Sequence, residues 1–240
     1  MRRSIKSVSR ARIEALALIL PLLLALSPTQ TAAEGVCEVY NHGENRESTR
    51  APRVALTFDD GPHKVFTPQI LDLLRENGIR ATFFMVGENI SANPDLLERT
   101  LREGHEVGNH TYAHAYLKGK PKNTQVREID LCDYEIFDHS EYCTHLLRPP
   151  GGLYDDNVLE ICAERGYSVI IWSVDTRDWT GAPAGEIEQT VLAGLEDGAI
   201  ILMHDFNRPD SHTVEALRDL IPRIRRLGYE FVTVSELIGE

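Results

Sequence analysis

From residue 53 onward, short apolar runs alternate with longer amphipathic stretches. Val54-Ala55-Leu56 opens the series and reads as a buried strand. Further runs begin near Ala81, Glu106, Leu146, Ser168, Ala199 and Glu230, each about five residues long and most followed by a helical pattern and a glycine. The helix ends are legible. Thr67-Pro68 offers an N-cap followed by proline at the first helical position, and Asn77-Gly78 offers a stop. Asn93-Pro94 opens the next helix and Gly104 closes it. Asn123 or Thr124 opens a third, with Val126, Ile129, Cys132, Ile136 and Phe137 on one face. Asp155 or Asp156 to Gly166, Glu186 to Glu196, and Thr213 to Gly228 supply the rest. Strand–helix alternation predicts a parallel sheet with right-handed crossovers. This many units in so short a chain fit a small, irregular α/β barrel, with a doubly wound open sheet as the alternative. No glycine-rich phosphate loop follows the first strand, which counts against a nucleotide site.

The first 33 residues break the pattern. Arg2, Arg3, Lys6, Arg10 and Arg12 precede an almost wholly apolar run, Ala15 to Leu26, and Thr31-Ala32-Ala33 offers small residues for cleavage. That order is expected of a secretory signal peptide cut after Ala33. The run is short for a membrane span, so no stable span is expected after cleavage. Residues 34–52 are polar and read as a leader or linker, and 53–240 as one full-size domain. The chain as a whole carries a formal charge of −12. Losing residues 1–33 would make it more acidic, since that stretch holds five basic residues and one acidic one, Glu14. An acidic surface argues against nucleic acid and anionic lipid as partners, and suits a neutral or cationic one such as a glucosamine polymer. The cysteines are Cys37, Cys132, Cys143 and Cys162. An even count in an exported chain suggests disulfides. Cys132 and Cys143 flank one helix-to-strand connection and are the expected pair, while Cys162 on an apolar helix face reads as a buried thiol.

The candidate chemistry sits where the apolar runs end. Thr57-Phe58-Asp59-Asp60-Gly61-Pro62 places two adjacent carboxylates before a turn, an arrangement that makes more sense beside a cation than alone. His110-Thr111-Tyr112-Ala113-His114 follows the third strand, and histidines four apart share a face if the stretch is helical. With one of the two aspartates they would form a metal site of two imidazoles and one carboxylate, with positions open to water. Arg148-Pro149-Pro150-Gly151-Gly152 follows the fourth strand; two prolines stiffen the chain and two glycines let backbone approach a ligand. In Asp175-Thr176-Arg177-Asp178-Trp179, Asp175 could hold Arg148 and Trp179 could wall a cleft. Leu202-Met203-His204-Asp205 follows the sixth strand. All five blocks fall at strand C-terminal ends, which gather at one face of a parallel α/β barrel.

These five blocks, in this order, resemble the polysaccharide deacetylase family, also called carbohydrate esterase family four, over roughly Arg53 to Ile238. The resemblance implies a distorted (β/α) barrel with seven or eight parallel strands. It implies Asp59 as catalytic base, and Asp60, His110 and His114 as ligands of a divalent metal, most often Zn2+ with Co2+ an alternative. It implies that Arg148 orients Asp59, that Asp175 tethers Arg148, and that His204 is the catalytic acid. Trp179 and Leu202 would line the pocket for the acetyl methyl group. The family often carries Tyr where this chain has Gly151; the backbone N–H for an oxyanion survives, and Tyr154 is the expected substitute for the lost ring. The implied activity is removal of N-acetyl groups from N-acetylglucosamine polymers, chitooligosaccharide or peptidoglycan. O-deacetylation of xylan and a catalytically silent carbohydrate-binding domain are the alternatives. A monomer located in the periplasm or secreted is expected.

Overall fold

The structure is a computed structural model that describes residues 37–43, 50–205 and 210–239. The expected signal peptide, 1–33, lies outside the described residues. The strands are β1 (Val39–Tyr40), β2 (Arg53–Asp59), β3 (Thr82–Met85), β4 (Glu106–Asn109), β5 (Leu146–Leu147), β6 (Ser168–Ile170), β7 (Val174–Asp175), β8 (Ala199–His204) and β9 (Glu230–Phe231). The helices are α1 (Phe66–Asn77), α2 (Gly87–Ala92), α3 (Pro94–Arg102), α4 (Lys122–Ser140), α5 (Asp156–Arg165), α6 (Ala184–Ala193), α7 (Thr213–Arg226) and α8 (Val234–Ile238).

All strand pairs are parallel, in the order β1-β6-β5-β4-β3-β2-β8-β7, with β9 pairing the first residues of β2. From β2 to β6, sequence neighbours are sheet neighbours, and β8 then lies on the other side of β2. That is the winding of a curled barrel, and it removes the doubly wound alternative. The expected distorted (β/α) barrel is present: eight strands in one path and a short ninth.

The N-terminal segment differs from expectation. Part of the stretch read as leader belongs to the sheet: Val39 and Tyr40 pair with Val169 and Ile170 of β6. His42 then makes an antiparallel bridge to Ala199, and Gly43 N donates to Gly198 O at 2.7 Å. The run thereby reaches from β6 to the start of β8 and closes the seam of the curl. Two residues of strand give too little periodicity to read from sequence.

Alternation along the strands sorts side chains into two environments. Val54, Leu56 and Phe58 of β2, with Ile201 and Met203 of β8, join Ile70, Leu74, Leu217 and Ile221 in the core beneath the helices. Ala55 and Ile200 join Phe84, Leu146 and Ile170 in the barrel interior, plugged from one end by Val234 and Leu237 of α8. Thr57, Asp59, Leu202 and His204 continue that inner face toward the strand ends, so the polar residues stand above an apolar floor.

Helix punctuation is largely as read. Gly78 and Gly166 adopt the left-handed conformation after α1 and α5, and the Asp155 carboxylate caps α5 by accepting from Val158 N. Thr67 is different: α1 begins at Phe66, and the buried Thr67 hydroxyl donates to Asp205 instead of capping the helix.

Candidate active site

Asp59 ends β2 directly opposite His204 of β8, with Phe84 of β3 on its other side. Asp59 is buried, and its partner is Arg148, which follows β5 and is wholly enclosed. The guanidinium donates through Nη1 to Asp59 Oδ1 and Thr57 Oγ1, both at 2.7 Å. Its Nε reaches Ile170 O at 3.2 Å and Nη2 reaches Ile171 O at 3.0 Å. Its carbon centre lies 4.0 Å over the Phe84 ring. Burial pulls this guanidinium below its ordinary pKa, and the Asp59 charge opposes the pull. The expectation that Arg148 orients Asp59 matches this geometry. The expectation that Asp175 tethers Arg148 does not: Asp175 accepts from Arg177 N at 2.9 Å in its own turn, and the carboxylate paired with Arg148 is Asp59.

Asp60 stands one residue past β2 with φ +76°, a conformation that turns its side chain away from the strand's alternation. Asn89 of α2 holds the turn by donating to Asp60 O at 2.6 Å. Asp60 Oδ1 lies 3.4 Å from His110 Nε2 and 3.1 Å from His114 Nε2. The two histidines are not on a helix. A loop with positive φ at Thr111 and His114 brings their rings to 5.1 Å between centroids. Asn109 shapes that loop: its Oδ1 accepts from Thr111 N at 2.8 Å, while its Nδ2 donates to Ile129 O and Asp133 Oδ1 of α4.

The donor set fits a divalent cation. Asp60, His110 and His114 each offer one atom, all within 4.8 Å of one another. His110 Nδ1 sits 2.6 Å from Arg148 O, so the ring donates there and Nε2 presents a lone pair to the cluster. Asp60 Oδ1 is buried with no hydrogen-bond partner and faces both imidazole Nε2 atoms, an arrangement that a cation between them would satisfy. Burial alone would raise the Asp60 carboxyl, but the imidazoles beside it hold it far below the usual range. Asp60 in turn raises His114 above its ordinary value, against the effect of burial.

His204 faces Asp59 from the end of β8. Its Nδ1 lies 2.7 Å from Asp178 Oδ1, and its backbone N donates to Asp178 Oδ2 at 2.8 Å. Thr213 of α7 donates to the same Oδ2 at 2.7 Å. Burial would lower the imidazole, but the Asp178 carboxylate, with Asp59 and Asp60 beyond it, raises it to about 9. Asp178, not the expected Asp175, is thus the acid of the Asp175-Thr176-Arg177-Asp178 run that has a partner in the site. Arg177 at φ +57° reverses the chain into a short 3-10 turn and swings Asp178 inward.

Leu202 is buried on the inner face two residues before His204, as a pocket wall requires, and Trp179 is half exposed beside Asp178. Gly151 has φ +65° in the turn after Pro150. Tyr154 does not stand in for the ring absent there; it packs outward on the cluster beneath α5. The aromatic beside Gly151 is Tyr116: a Cβ on Gly151 would come within 2.8 Å of its ring. Tyr116 is exposed and stands edge-on to His114 at 6.1 Å. Its only signal in sequence is an aromatic two positions past the second histidine. Asp205 is also beyond what the sequence showed. It is buried next to Gly61, accepts from Thr67, and burial raises it to about 7.

Known proteins resemble this chain in sequence and fold. The polysaccharide deacetylase family model matches residues 46–170. A peptidoglycan-N-acetylglucosamine deacetylase of Listeria monocytogenes is 42% identical over 188 residues, covering 78% of this chain and 39% of its own length. The chain therefore spans about two fifths of that relative. The crystal structure of the Bc1960 peptidoglycan N-acetylglucosamine deacetylase superposes with a TM-score of 0.78 at 35% identity, covering 84% of this chain and 92% of that one. A family 4 acetyl xylan esterase from Clostridium thermocellum, in complex with cobalt, superposes with a TM-score of 0.72 at 31% identity, covering 78% and 90%. The chain belongs to the polysaccharide deacetylase family.

Proposed function

We propose that the protein is an exported, metal-dependent deacetylase that hydrolyses N-acetyl groups on an N-acetylglucosamine polymer, peptidoglycan foremost. The observation that carries this reading is that two tethered side chains end adjacent strands beside one cluster able to hold a cation: Asp59, held by Arg148, and His204, held by Asp178. The similarity of this chain to the Listeria monocytogenes and Bc1960 peptidoglycan N-acetylglucosamine deacetylases supports the substrate.

A divalent ion held by Asp60, His110 and His114, Zn2+ by preference for two imidazoles and a carboxylate, supplies Lewis-acid polarisation and a lowered water pKa. Asp59 accepts a proton from the attacking water. Arg148 occupies Asp59 Oδ1 and leaves Oδ2, the oxygen 3.7 Å from His110 Nε2, to take that proton. The Gly151 N–H donates to the oxyanion of the tetrahedral intermediate. His204, protonated at neutral pH because its value lies near 9, delivers a proton to the departing amine. An amide requires that proton more than an ester does, because an unprotonated amine is a poor leaving group. The raised His204 therefore meets the need of N-deacetylation for an acid. Leu202 and Trp179 line the side that receives the acetyl methyl group, and Tyr116 offers a ring face to the sugar.

The test is acetate release from peptidoglycan, chitooligosaccharides and acetylated xylan, each with and without chelator. Release from the first two that disappears with chelator and returns with Zn2+ or Co2+ is expected. Release from xylan alone would move the assignment to the ester, and binding of glycan with no release under any metal would make the domain a silent binder.

A further inference from the structure

Two of the four cysteines lie against each other on the outer side of the sheet, away from the candidate site. Cys37 lies two residues before β1, and Cys162 is on the buried side of α5. Half-buried Cys37 packs on the apolar cluster beneath α5 that contains Cys162, Tyr167 and Val169. The backbone fixes this neighbourhood on both sides. Val169 N donates to Glu38 O at 2.9 Å, and Tyr167 N donates to Cys162 O at 2.9 Å. Cys37 Sγ itself lies 3.4 Å from Tyr167 O. The other two thiols are placed differently. Cys132 is enclosed with its Sγ donating to Met85 O at 3.4 Å, and Cys143 is exposed in the loop after α4. The expected Cys132–Cys143 pair is therefore not formed: one thiol faces the sheet beneath its helix and the other faces out.

We propose that Cys37 and Cys162 form an intramolecular disulfide that staples the seam-spanning first strand to the outer helix α5 when the protein meets a disulfide oxidant. The chemistry assigns the two sulfurs different parts. The nearness of the two thiols drives their acidities apart, lowering Cys37 below its ordinary value and raising Cys162. Cys37, the more acidic and more accessible, is the sulfur that attacks first. Its thiolate displaces one thiolate from the oxidant, a glutathione-type or dithiol-protein disulfide, and forms a mixed disulfide. Cys162 then loses its proton and attacks the Cys37 sulfur, displacing the second thiolate. Two protons and two electrons leave the protein, and the oxidant is reduced to two thiols. The new bond closes a loop that includes most of the barrel, which is where cross-links constrain the unfolded chain most. It also secures a strand that has only two paired residues of its own.

Peptide mapping of the full chain decides the matter without any variant. The protein is equilibrated with glutathione disulfide or with dithiothreitol, alkylated under denaturing conditions, digested without reduction and analysed by mass spectrometry. A linked peptide containing Cys37 and Cys162 in the oxidised sample only, with Cys132 and Cys143 alkylated, is the expected result. Alkylation of both Cys37 and Cys162 after oxidation, or linkage of Cys37 to Cys143, would overturn the pairing. Thermal unfolding tests the staple: oxidation should raise Tm by about 5–10 °C. That rise should vanish in Cys37→Ser, a change at a partly exposed position. A rise that persists in Cys37→Ser, or none in the linked wild-type protein, would overturn the stapling role.

Discussion

At the scale of single residues, the site is two acid–base pairs, and each can be broken separately. Asp178 raises the His204 imidazole above its ordinary value, and its other oxygen is occupied by Thr213 and the His204 backbone. Asp178→Asn preserves the shape and removes the charge. The imidazole should then lose its proton at lower pH, so the alkaline limb of the pH–rate profile should move down by a unit or more, with kcat falling about 10²- to 10⁴-fold. An unchanged alkaline limb would mean that His204 is not the acid. Beyond the proton abstraction proposed for it, Asp59 is the counter-ion of the fully buried Arg148. Asp59→Asn should abolish turnover and also lower unfolding free energy by about 3–5 kcal/mol, since a buried cation is left uncompensated. Denaturant titration beside metal analysis separates the two effects: stability falls while the Asp60–His110–His114 set keeps its metal. Both aspartates of Asp59-Asp60 are legible in the sequence, as are His110, His114, Arg148 and His204, because each follows an apolar run. Asp178 is not separable there from Asp175, since three residues of irregular backbone decide which carboxylate turns inward. Tyr116, an aromatic two positions past His114, and Asp205, the end of the last block, reveal no role in sequence; their relevance arises from contacts with Gly151 and Gly61 that only the folded chain creates.

At the scale of elements, β4 joins a catalytic end to a structural one. Its C-terminal end presents Asn109 and the loop of His110 and His114. Just before its N-terminal end lies His105, 5% exposed, with Nδ1 accepting from Ala81 N at 3.2 Å and its ring edge-on to Phe83 at 5.5 Å. Burial lowers this histidine to about 4; nearby Glu103 opposes the shift, and Arg80 and Arg99 reinforce it. The unfolded chain binds the proton near the ordinary 6.5, so between pH 6.5 and 4 the unfolded state holds more protons than the folded one. Stability is therefore intact above pH 6.5 and falls as pH drops through that window, by about 2 kcal/mol between pH 7.5 and 5. His105→Asn keeps an acceptor for Ala81 N and cannot titrate. Urea midpoints at pH 7.5 and 5 should show a smaller acid loss in the variant than in the wild type, whatever its stability at neutral pH. The strands and most helix stops can be read in advance because period-2 apolar runs and left-handed glycines are local signals. The His110–His114 loop cannot, because i,i+4 spacing suggests a helix, whereas the chain takes positive φ at Thr111, held by Asn109 from the end of β4, and again at His114.

At the scale of the whole molecule, the barrel is a curled sheet whose two edges, β1 and β7, do not pair with each other. What spans the gap is the short run through His42 and Gly43, bonded to β6 on one side and to the start of β8 on the other. Composition marks this run as a leader, so a domain cut from sequence alone would begin too late. A chain beginning at Arg50 tests the point. It would retain every candidate site residue but lose the Glu38 and Tyr40 carbonyls that Val169 and Ile171 donate to. β6 would become an open edge lined by apolar residues, a template for association with a second chain. The carbonyls of Ile170 and Ile171 that hold Arg148 lie on that same strand and its extension, so loosening β6 should reach the active site through Arg148 and Asp59. The truncated chain should show a Tm lower by several degrees, concentration-dependent light scattering, and a fall in kcat larger than any change in metal affinity. Metal affinity is the discriminating readout, because Asp60, His110 and His114 hang from β2 and β4, away from the edge that the cut exposes. Equal losses of metal and turnover would show that the seam supports the whole barrel, not the base and its arginine.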